Sequence, residues 1–479
     1  MRFNRILLVF PEYKHTQFGA THPPVGLGYL SEILKVNNIV HEVVDMRLGC
    51  DLKGLKQKIQ KFNPDAVAIS MMTLMHKETY GIIEEIKKSF SNIKIIVGGP
   101  HISTFRERAL EQCKSIDFGV TREGEITLIE LCQGLDYEKI KGLIFRKNDE
   151  VVYTGEREFI LDLDSIPFPK YEKFDLKKYI TEEIAILTSR GCPYSCIYCP
   201  VKTAIGRKFR VRSPKNVVKE IQYWYENGRR SFGIVDDNFM MIKERVLNIC
   251  SEIENQSLTK LELRCPNGIR ADQYDHELLS KMKKIGFEYL AIGVEAGNNK
   301  ILENIKKGEK IEVIKKAIED ACNLGYEVIL FFLVGSPGET WMDIEDSVKV
   351  ALAYPVFDAK FYNLIPFPDT ELFTLVSEKK YFIRNPDDYL NDASHWDVNP
   401  VFATPELSFE QRVNALKYTN KIRKRIRKNA MERKLKKLGF MSKFLANIFV
   451  LDFVQYQLLH NWFLRKLSTS IFRRINKKH

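Results

Sequence analysis

Residues 184–200 read IAILTSRGCPYSCIYCP, an apolar stretch followed at once by a loop that holds three cysteines. Three and then two residues separate Cys192, Cys196 and Cys199, so one loop can bring all three thiolates to a single centre. Three thiolates on a four-iron cluster leave one iron open to another ligand, whereas electron-carrying clusters are fully ligated. The spacing therefore predicts an iron–sulfur site with an open position.

A zinc site is the alternative for such a loop. Closed zinc sites take four ligands, typically as two pairs. No second cysteine pair follows, and the next histidine in the chain is His276. The other cysteines stand singly, which is typical of small buried side chains. They are Cys50, Cys113, Cys132, Cys250, Cys265 and Cys322.

From the cysteine loop toward the C-terminus, apolar strands alternate with amphipathic helices. The predicted strands are 184–188, 231–235, 261–264, 289–294, 327–333 and 359–364. Predicted helices between them include 214–225, 276–285, 311–324 and 341–353. Six strand–helix repeats predict a partial or full (β/α) barrel, whose active-site loops gather at the carboxyl ends of the strands.

Toward the N-terminus a second alternating series occupies the first 136 residues. Its predicted strands are 6–10, 41–45, 66–70, 94–97 and 117–121, and its predicted helices are 26–35, 52–62, 79–90 and 126–133. This alternation predicts a doubly wound parallel sheet of the Rossmann-like kind. A short hairpin (142–146 and 151–154) and the proline-rich stretch 166–169 then predict a linker over 137–180.

The C-x3-C-x2-C loop after the first barrel strand resembles the radical S-adenosylmethionine superfamily. Polar or glycine-rich segments end the second, fourth, fifth and sixth strands in the order that this superfamily shows: VDDNF at 235–239, GVEAG at 293–297, VGSPGET at 334–340 and IPFPDT at 365–370. The resemblance implies S-adenosylmethionine contacts at Tyr198, Asp236, Asp237, Glu295, Gly335 and Pro366. Any one Asp or Gly at a strand end is more often a turn or a cap, so the order of the motifs is the stronger indication.

The resemblance also implies the chemistry. S-adenosylmethionine would chelate the open iron of a 4Fe-4S cluster held by the three cysteines. One electron from the reduced cluster would then release methionine and a 5′-deoxyadenosyl radical, with flavodoxin or ferredoxin as the electron donor. In such enzymes the protein supplies orientation and exclusion of water.

A doubly wound sheet before such a barrel resembles the cobalamin-binding branch of the superfamily. The segments that carry this resemblance lie at strand ends, and the cobalamin contacts that it implies are Pro24, Gly26, Leu27, Ser70, Thr73, Gly98, Gly99, Glu123 and Gly124. Many cobalamin domains ligate cobalt through Asp-x-His-x-x-Gly, which this sequence lacks. His15 and His22 lie in the first loop without that spacing, so the lower cobalt ligand stays open. A flavodoxin-like domain without cofactor is the alternative.

Four regions follow from these patterns: a cobalamin-binding domain (1–136), a hairpin and linker (137–180), a radical barrel (181–390) and a helical, basic C-terminal region (391–479). No run of about 20 apolar residues predicts a membrane-spanning helix. Residues 1–10 lack the small-residue cleavage site of a signal peptide. We therefore expect a cytoplasmic protein.

The net charge of +12 resides in the C-terminal region, where residues 411–479 carry nineteen Lys or Arg against Glu432 and Asp452. The basic segments 421–428 and 433–437 precede an apolar, aromatic stretch over 444–467. This combination is typical of peripheral contact with an anionic membrane or of an acidic partner. A solvated helix packed on the barrel is the alternative. Nucleic acid is disfavoured because basic and aromatic residues do not interleave.

The leading functional hypothesis is a cobalamin-dependent radical methyltransferase that acts on an unactivated carbon of a small-molecule, lipid or peptide substrate. A cyclisation, rearrangement or oxidation with the same two cofactors is the alternative. Transfer-RNA methylthiotransferases share the barrel, but they carry three cysteines in their first domain and end in an RNA-binding β-barrel. A metal-stabilised binding protein without catalysis is a further alternative.

Overall fold

The structure is a computed structural model that describes residues 2–13 and 19–460. Within these residues the chain forms two α/β units, each built on its own sheet, and a helical C-terminal segment. The predicted fold class is confirmed.

The first sheet has seven strands, in the order β2-β1-β3-β4-β5-β6-β7. They are β1 (Arg5–Phe10), β2 (Val40–Asp45), β3 (Ala66–Ser70), β4 (Lys94–Gly98), β5 (Phe118–Val120), β6 (Leu143–Lys147) and β7 (Glu150–Tyr153). The first five run parallel. The helices of this unit are α1 (Val25–Val36), α2 (Leu52–Phe62), α3 (His76–Ser89), α4 (Pro100–Phe105), α5 (Glu107–Gln112) and α6 (Gly124–Gln133).

Helices cover both faces of this sheet. Leu27 of α1 and Leu128 of α6 pack in one hydrophobic cluster, while Ile59 of α2 and Ile83 of α3 pack in the other. The order of the strands reverses at β1, which lies between β2 and β3. In doubly wound sheets ligands bind at the carboxyl ends of the strands beside such a reversal.

The predicted hairpin forms, but it is not part of a linker. Its first strand, β6, pairs antiparallel with β5, and β7 then forms the edge of the sheet. The apolar side chains of Leu143, Ile144 and Phe145 are buried against the first domain. This packing makes the hairpin part of the first unit.

The second sheet contains six parallel strands that follow the chain order. Its strands are β8 (Ile184–Ile186), β11 (Ser231–Ile234), β12 (Glu262–Ile269), β13 (Phe287–Glu295), β14 (Glu327–Val334) and β15 (Asp358–Asn363). Between β8 and β11 in the chain, β9 (Ser189–Arg190) and β10 (Arg210–Val211) form a separate two-stranded ribbon. Strands β8 and β15 are the two edges of this sheet. The barrel is therefore partial and open at one side.

Helices follow the strands of the second sheet. They are α7 (Val201–Ala204), α8 (Pro214–Glu226), α9 (Lys243–Asn255), α10 (His276–Lys284), α11 (Asn299–Asn304), α12 (Ile311–Asn323), α13 (Trp341–Ala353), α14 (Glu371–Glu378) and α15 (Pro386–Tyr389). Apolar side chains of α8, α10, α12 and α13 join those of the strands in one core.

The C-terminal segment consists of α16 (Phe409–Lys434), α17 (Met441–Phe449) and α18 (Asp452–His460). A capping box between Ser408 and Gln411 starts α16, which packs against β15 and α13. Among the described helices, none combines the length and the apolar character that a membrane crossing requires. Residues 461–467 of the predicted apolar stretch lie outside the described residues.

Candidate active site

The cysteine loop, residues 191–200, follows the β9 strand and is tied down by its own backbone. The amide of Cys192 donates to the Gly206 carbonyl (3.2 Å), and that of Ile197 donates to the Ile305 carbonyl (3.1 Å). All three thiols are half-buried. The loop is thus a fixed turn that presents its sulfur atoms at one end of the second sheet.

The three thiols lie near enough to influence one another electrically. Burial raises the pKa of Cys199 to about 12, and the neighbouring Cys196 and Cys192 raise it further. Burial also raises the pKa of Cys192 and of Cys196, whereas Lys307 and Arg270 lower both. A cationic cluster would reverse this balance, because metal binding deprotonates a coordinating thiol.

This donor set fits a cluster better than a single ion. Across residues 2–13 and 19–460, no three His, Cys, Asp or Glu side chains meet as ligands around one metal ion would. Ligands of a four-iron cluster bind separate iron atoms, and three cysteines with no fourth partner leave one iron open. We therefore infer that Cys192, Cys196 and Cys199 would hold a 4Fe-4S cluster.

A network of buried charges lies beside the cysteine loop, at the carboxyl end of β13. Glu295 has φ of 65°, in the left-handed region that non-glycine residues rarely adopt. Its carboxylate accepts from Lys307 (3.1 Å), whose ammonium also contacts Glu309 (3.3 Å). The guanidinium of Arg270 lies 3.5 Å from the centre of the Tyr194 ring and so holds the loop from this side.

The predicted aromatic contact, Tyr198, is half-buried with its hydroxyl beside the Cys196 thiol. Burial raises the pKa of Tyr198 well above its usual value, and the charge of Glu295 adds to this effect. Tyr198, Glu295 and Cys196 therefore share one corner of the site. Their contact with S-adenosylmethionine stays a prediction.

The two predicted acidic residues that follow β11, Asp236 and Asp237, have different surroundings. Asp236 accepts hydrogen bonds from the Thr188 amide (2.6 Å), the Thr188 hydroxyl (2.5 Å) and the Ser189 hydroxyl (2.5 Å). Both its oxygens are occupied, so Asp236 positions the strand before the cysteine loop. Asp237 lines a cavity instead, and burial, followed by the charge of Asp236, raises its pKa to about 6.

This interdomain cavity, of about 390 Å³, lies between the carboxyl edge of the first sheet and the segments that flank the cysteine loop. Predicted cobalamin contacts among its lining residues are Gly26, Leu27, Ser70, Gly98, Gly99, Glu123 and Gly124. From the second domain, Leu187, Arg190, Ile205 and Asp237 complete the wall. The cavity therefore connects the ligand edge of the first sheet to the cysteine loop.

Glycines shape the floor of the cavity. Gly99 has φ of 105°, and a Cβ there would lie 2.8 Å from the Met71 carbonyl oxygen. A Cβ on Gly26 would point into open space. Gly99 is therefore required by the close packing of the protein's own backbone, whereas the open space beside Gly26 gives room for a large ligand such as cobalamin to approach the backbone.

Comparison with known proteins agrees with this arrangement. Residues 186–351 match the radical SAM superfamily, and residues 16–132 match the B12 binding domain. The chain therefore contains a radical SAM domain and a B12 binding domain. Each matched range covers most of one of the two units that meet at the cavity.

Individual relatives resemble most of the chain. An uncharacterized methyltransferase of Pyrococcus horikoshii is 27% identical, over 86% of this chain and 90% of that protein. An anaerobic magnesium-protoporphyrin IX monomethyl ester cyclase of Cereibacter sphaeroides is 27% identical, over 77% of this chain and 63% of that protein. The cobalamin-dependent S-adenosylmethionine radical enzyme OxsB has been solved with aqua-cobalamin and S-adenosylmethionine bound. Its structure matches with a TM-score of 0.75 at 16% identity, over 98% of this chain and 75% of that chain. That likeness shows the shared fold.

Two predicted cobalamin contacts, Pro24 and Thr73, are not among the residues that line the cavity. Pro24 precedes α1 as its N-cap. Thr73 is buried, and its carbonyl accepts a hydrogen bond from Nδ1 of His76 (3.1 Å). His15 lies outside the described residues, and Nδ1 of His22 is 3.1 Å from the Pro23 carbonyl oxygen.

Glu123 lines the cavity, but its carboxylate is engaged by two arginines of the second domain. It accepts from Arg190 (3.0 Å) and Arg210 (2.7 Å), while Arg190 also donates to Glu125 (2.7 Å). Arg190 and Arg210 are not among the site residues that the sequence predicts. The signal was available, because two arginines flank the cysteine loop and two glutamates open α6.

The predicted residues at the ends of β14 and β15 are held by partners that are distant in sequence. The amides of Gly335 and Ser336 donate to Glu339 (2.6 and 3.1 Å). Arg412 of α16 packs against Gly335, where φ is 98° and a Cβ would collide with the guanidinium. The carbonyl of Pro366 accepts from the Tyr389 hydroxyl (2.6 Å).

Arg412 is fully buried and also connects the ends of the two strands. It donates to Asn363 Oδ1 (3.0 Å) and to the Leu364 carbonyl (2.6 Å). Burial raises the pKa of Glu339 to about 7 and lowers the pKa of Arg412 to about 9. The charge of each residue opposes this shift, because it favours the ionised form of the other. Helix α16 therefore supports the edge that carries the predicted S-adenosylmethionine contacts Gly335 and Pro366, and its composition alone gave no indication of this role.

Proposed function

We propose that this enzyme transfers a methyl group, carried by cobalamin, to an unactivated carbon of a small-molecule, lipid or peptide substrate. The observation that supports the proposal is the interdomain cavity, because its wall combines the ligand edge of the first sheet with residues beside the cysteine loop. When bound, the reduced cluster supplies the electron that cleaves S-adenosylmethionine, and cobalamin supplies the methyl carrier.

The chain's own residues orient these groups and exclude water. The cavity lining is mainly apolar, with Leu8, Leu27, Leu128 and Val235 among its residues. Asp236 fixes the strand before the cysteine loop, and the Glu123–Arg190–Arg210 cluster joins that loop to the first domain. Such preorganisation keeps reacting groups at fixed separations and protects a radical from side reactions.

A cyclisation with the same two cofactors is the second candidate. The similarity to the cyclase of Cereibacter sphaeroides favours it, and the wall of the cavity suits either outcome. The two reactions differ in the fate of the methyl group. A label on that group therefore distinguishes them.

The test uses the full chain, reconstituted without oxygen with iron, sulfide and cobalamin. After reduction with S-adenosylmethionine that bears a trideuterated methyl group, we expect bound cobalamin, 5′-deoxyadenosine, and a deuterated product from cell extract, by absorption and mass spectrometry. Cys196→Ala should abolish the 5′-deoxyadenosine, whereas Cys50→Ala, in the first domain away from the loop, should not. Formation of 5′-deoxyadenosine without bound cobalamin would contradict methyl transfer.

We also propose that the enzyme works in the cytoplasm, receives electrons from a flavodoxin or ferredoxin, and touches an anionic membrane through its C-terminal segment. Exposed aromatic side chains support the last point: Phe440 is 91% exposed, Phe444 64% and Phe453 72%. Lys436, Lys437 and Lys443 flank them. Apolar side chains beside cations suit the surface of an anionic bilayer.

A further inference from the structure

The two faces of the second sheet differ in character. On β13, β14 and β15 one set of alternating side chains is buried in the core that the helices complete: Leu290, Ile292, Leu330, Phe332, Ala359 and Phe361. The opposite set includes half-buried positions: Tyr289, Phe331, Lys360 and Tyr362. Because helices cover the outer face of a strand–helix sheet, this second set lines the inner face.

Cross-strand pairing places these inner residues side by side. Phe331 pairs with Lys360, and Gly293 of β13 pairs with Phe331. Arg264 of β12 pairs with Tyr289 in the same way. Gly293 lies two residues before Glu295, so this row lies just below the charged corner beside the cysteine loop.

Among the described residues, Lys360 has no counter-ion on this face. Its ammonium makes no hydrogen bond and no ion pair with the described residues, and it lies 5.3 Å from the Phe331 ring centre and 5.6 Å from that of Trp396. Burial lowers the pKa of Lys360; Asp358 opposes this effect, while Arg423, Arg427 and Arg264 add to it. A largely desolvated cation of this kind is stabilised by an incoming anion.

Asp358, which acts on Lys360, and two acidic residues near Tyr289 are already paired with other cations. Asp358 accepts two hydrogen bonds from the guanidinium of Arg423 (3.0 and 2.9 Å). Glu183 accepts from Arg264 (3.3 Å), and Glu327 accepts from Lys434 (2.5 Å). The inner face therefore keeps an excess of positive charge at Lys360.

Aromatic rings surround this cation. Tyr362 packs edge-on against Phe331 (5.6 Å between ring centres) and against Trp396 (5.0 Å). The guanidinium of Arg264 lies 4.2 Å from the centre of the Tyr289 ring. Such a wall suits a flat, apolar body, since aromatic rings offer large rigid surfaces.

We propose that the inner face binds a substrate with an apolar, planar body and an oxyanion, either a carboxylate or a phosphate, and that Lys360 binds the oxyanion. The proposal rests on the proposed function, because it takes the inner face as the surface on which the substrate lies. Lys360 is a substrate-binding residue here, three residues before the end of β15.

The test measures binding of four probes to the reconstituted full chain by equilibrium dialysis: 1-naphthoate, 1-naphthyl phosphate and the neutral 1-naphthamide and 1-naphthol. The wild-type enzyme should bind at least one anion more tightly than its neutral counterpart, by about tenfold or more, as one charge-assisted hydrogen bond implies. The preferred anion identifies which oxyanion the site accepts.

Variants then assign the preference. Lys360→Met should bind the anionic and the neutral probe equally well, whereas Lys360→Arg should still bind the anion more tightly. Lys219→Met, at an exposed position of α8, should keep the wild-type preference for the anion. Equal binding of anions and neutral probes by the wild type, or an unchanged preference in Lys360→Met, would overturn the proposal. Cobalamin content and 5′-deoxyadenosine, measured on the same preparations, test the proposed function separately.

Discussion

His101 lies in the first turn of α4, directly after the Gly98–Gly99 loop of the cavity. It is fully buried, with ring centres 4.7 Å from His76 and 4.5 Å from Phe105. Its Nε2 is 2.8 Å from the Tyr80 hydroxyl, and its Nδ1 has no partner among the described residues. Burial, together with the nearby His76, lowers its pKa to about 3.

This lowered pKa makes the first domain sensitive to acid. The unfolded chain binds a proton at His101 near pH 6.5, whereas the folded chain resists protonation down to about pH 3. This contribution to the free energy of unfolding is fully present above pH 6.5 and is lost as the pH falls toward 3, by about 5 kcal/mol in all. In His101→Phe, which keeps the stacking, the free energy of unfolding should decline less steeply from pH 7 to 5.

Urea denaturation followed by circular dichroism measures this slope. Tyr80 keeps a second partner in Gln112 (3.3 Å), so the variant should fold. His276→Phe, at an exposed position at the start of α10, is the matched control and should retain the wild-type slope. If the free energy of unfolding of His101→Phe fell as steeply between pH 7 and 5 as that of the control, protonation of His101 would not be the cause of the acid sensitivity.

At the scale of elements, the β9-β10 ribbon joins the two domains beside the cysteine loop. Arg190 of β9 donates to both Glu123 and Glu125, which lie at the start of α6, and its guanidinium lies 5.1 Å from the Tyr29 ring centre. Arg210 of β10 reaches the same Glu123. Buried pairs of this kind are costly to break, because the remaining charge is left without a partner.

We expect Arg190→Met to lose about 3–5 kcal/mol of stability, since Glu125 would be left buried without its cation. The cysteine loop follows Arg190 directly, so iron bound per chain after reconstitution should fall as well. Thermal unfolding and iron analysis measure both effects. Arg207→Met, at an exposed position between α7 and β10, is the control. Equal melting temperatures of the two variants would contradict the role of Arg190.

Elements were easier to predict from the sequence than their partners. Strands such as β3 and β14 are apolar runs with clear limits, so periodicity located them within a residue or two. The hairpin was also located, but its pairing with β5 depends on a partner more than twenty residues away in the chain. Local patterns carry no information on such pairing.

The candidate site shows the same division. The spacing of Cys192, Cys196 and Cys199 marks the loop by itself, whereas the neighbouring Asp236 and Asp237 look alike in sequence and differ only in what surrounds them. Arg412 lies far along the chain from Gly335, which it supports. Tertiary packing decides such roles.

At the scale of the whole molecule, the C-terminal segment gives the enzyme one side that is apolar and cationic. We expect the full chain to sediment with vesicles of phosphatidylcholine and phosphatidylglycerol, and the doubly substituted Phe440→Ser, Phe444→Ser chain to bind at least about tenfold more weakly, because apolar burial drives insertion. Vesicle sedimentation at low and moderate salt measures this.

Met342→Ser is the matched control, since Met342 is 75% exposed on α13. Vesicles of phosphatidylcholine alone should bind the wild-type chain weakly, because the attraction to anionic lipid is then absent. Equal binding to both kinds of vesicle, or no effect of the double substitution, would argue against a membrane role for this segment.

The burial of Arg412 against Gly335, Asn363 and Leu364 has a consequence for the order in which the protein matures. Chains fold from the N-terminus during synthesis, so the first sheet and the cysteine loop leave the ribosome well before α16. Until α16 emerges, the ends of β14 and β15 lack the guanidinium that joins them. The edge of the second domain is therefore completed last, and a nascent chain displays its three thiols before the surface beside them is finished.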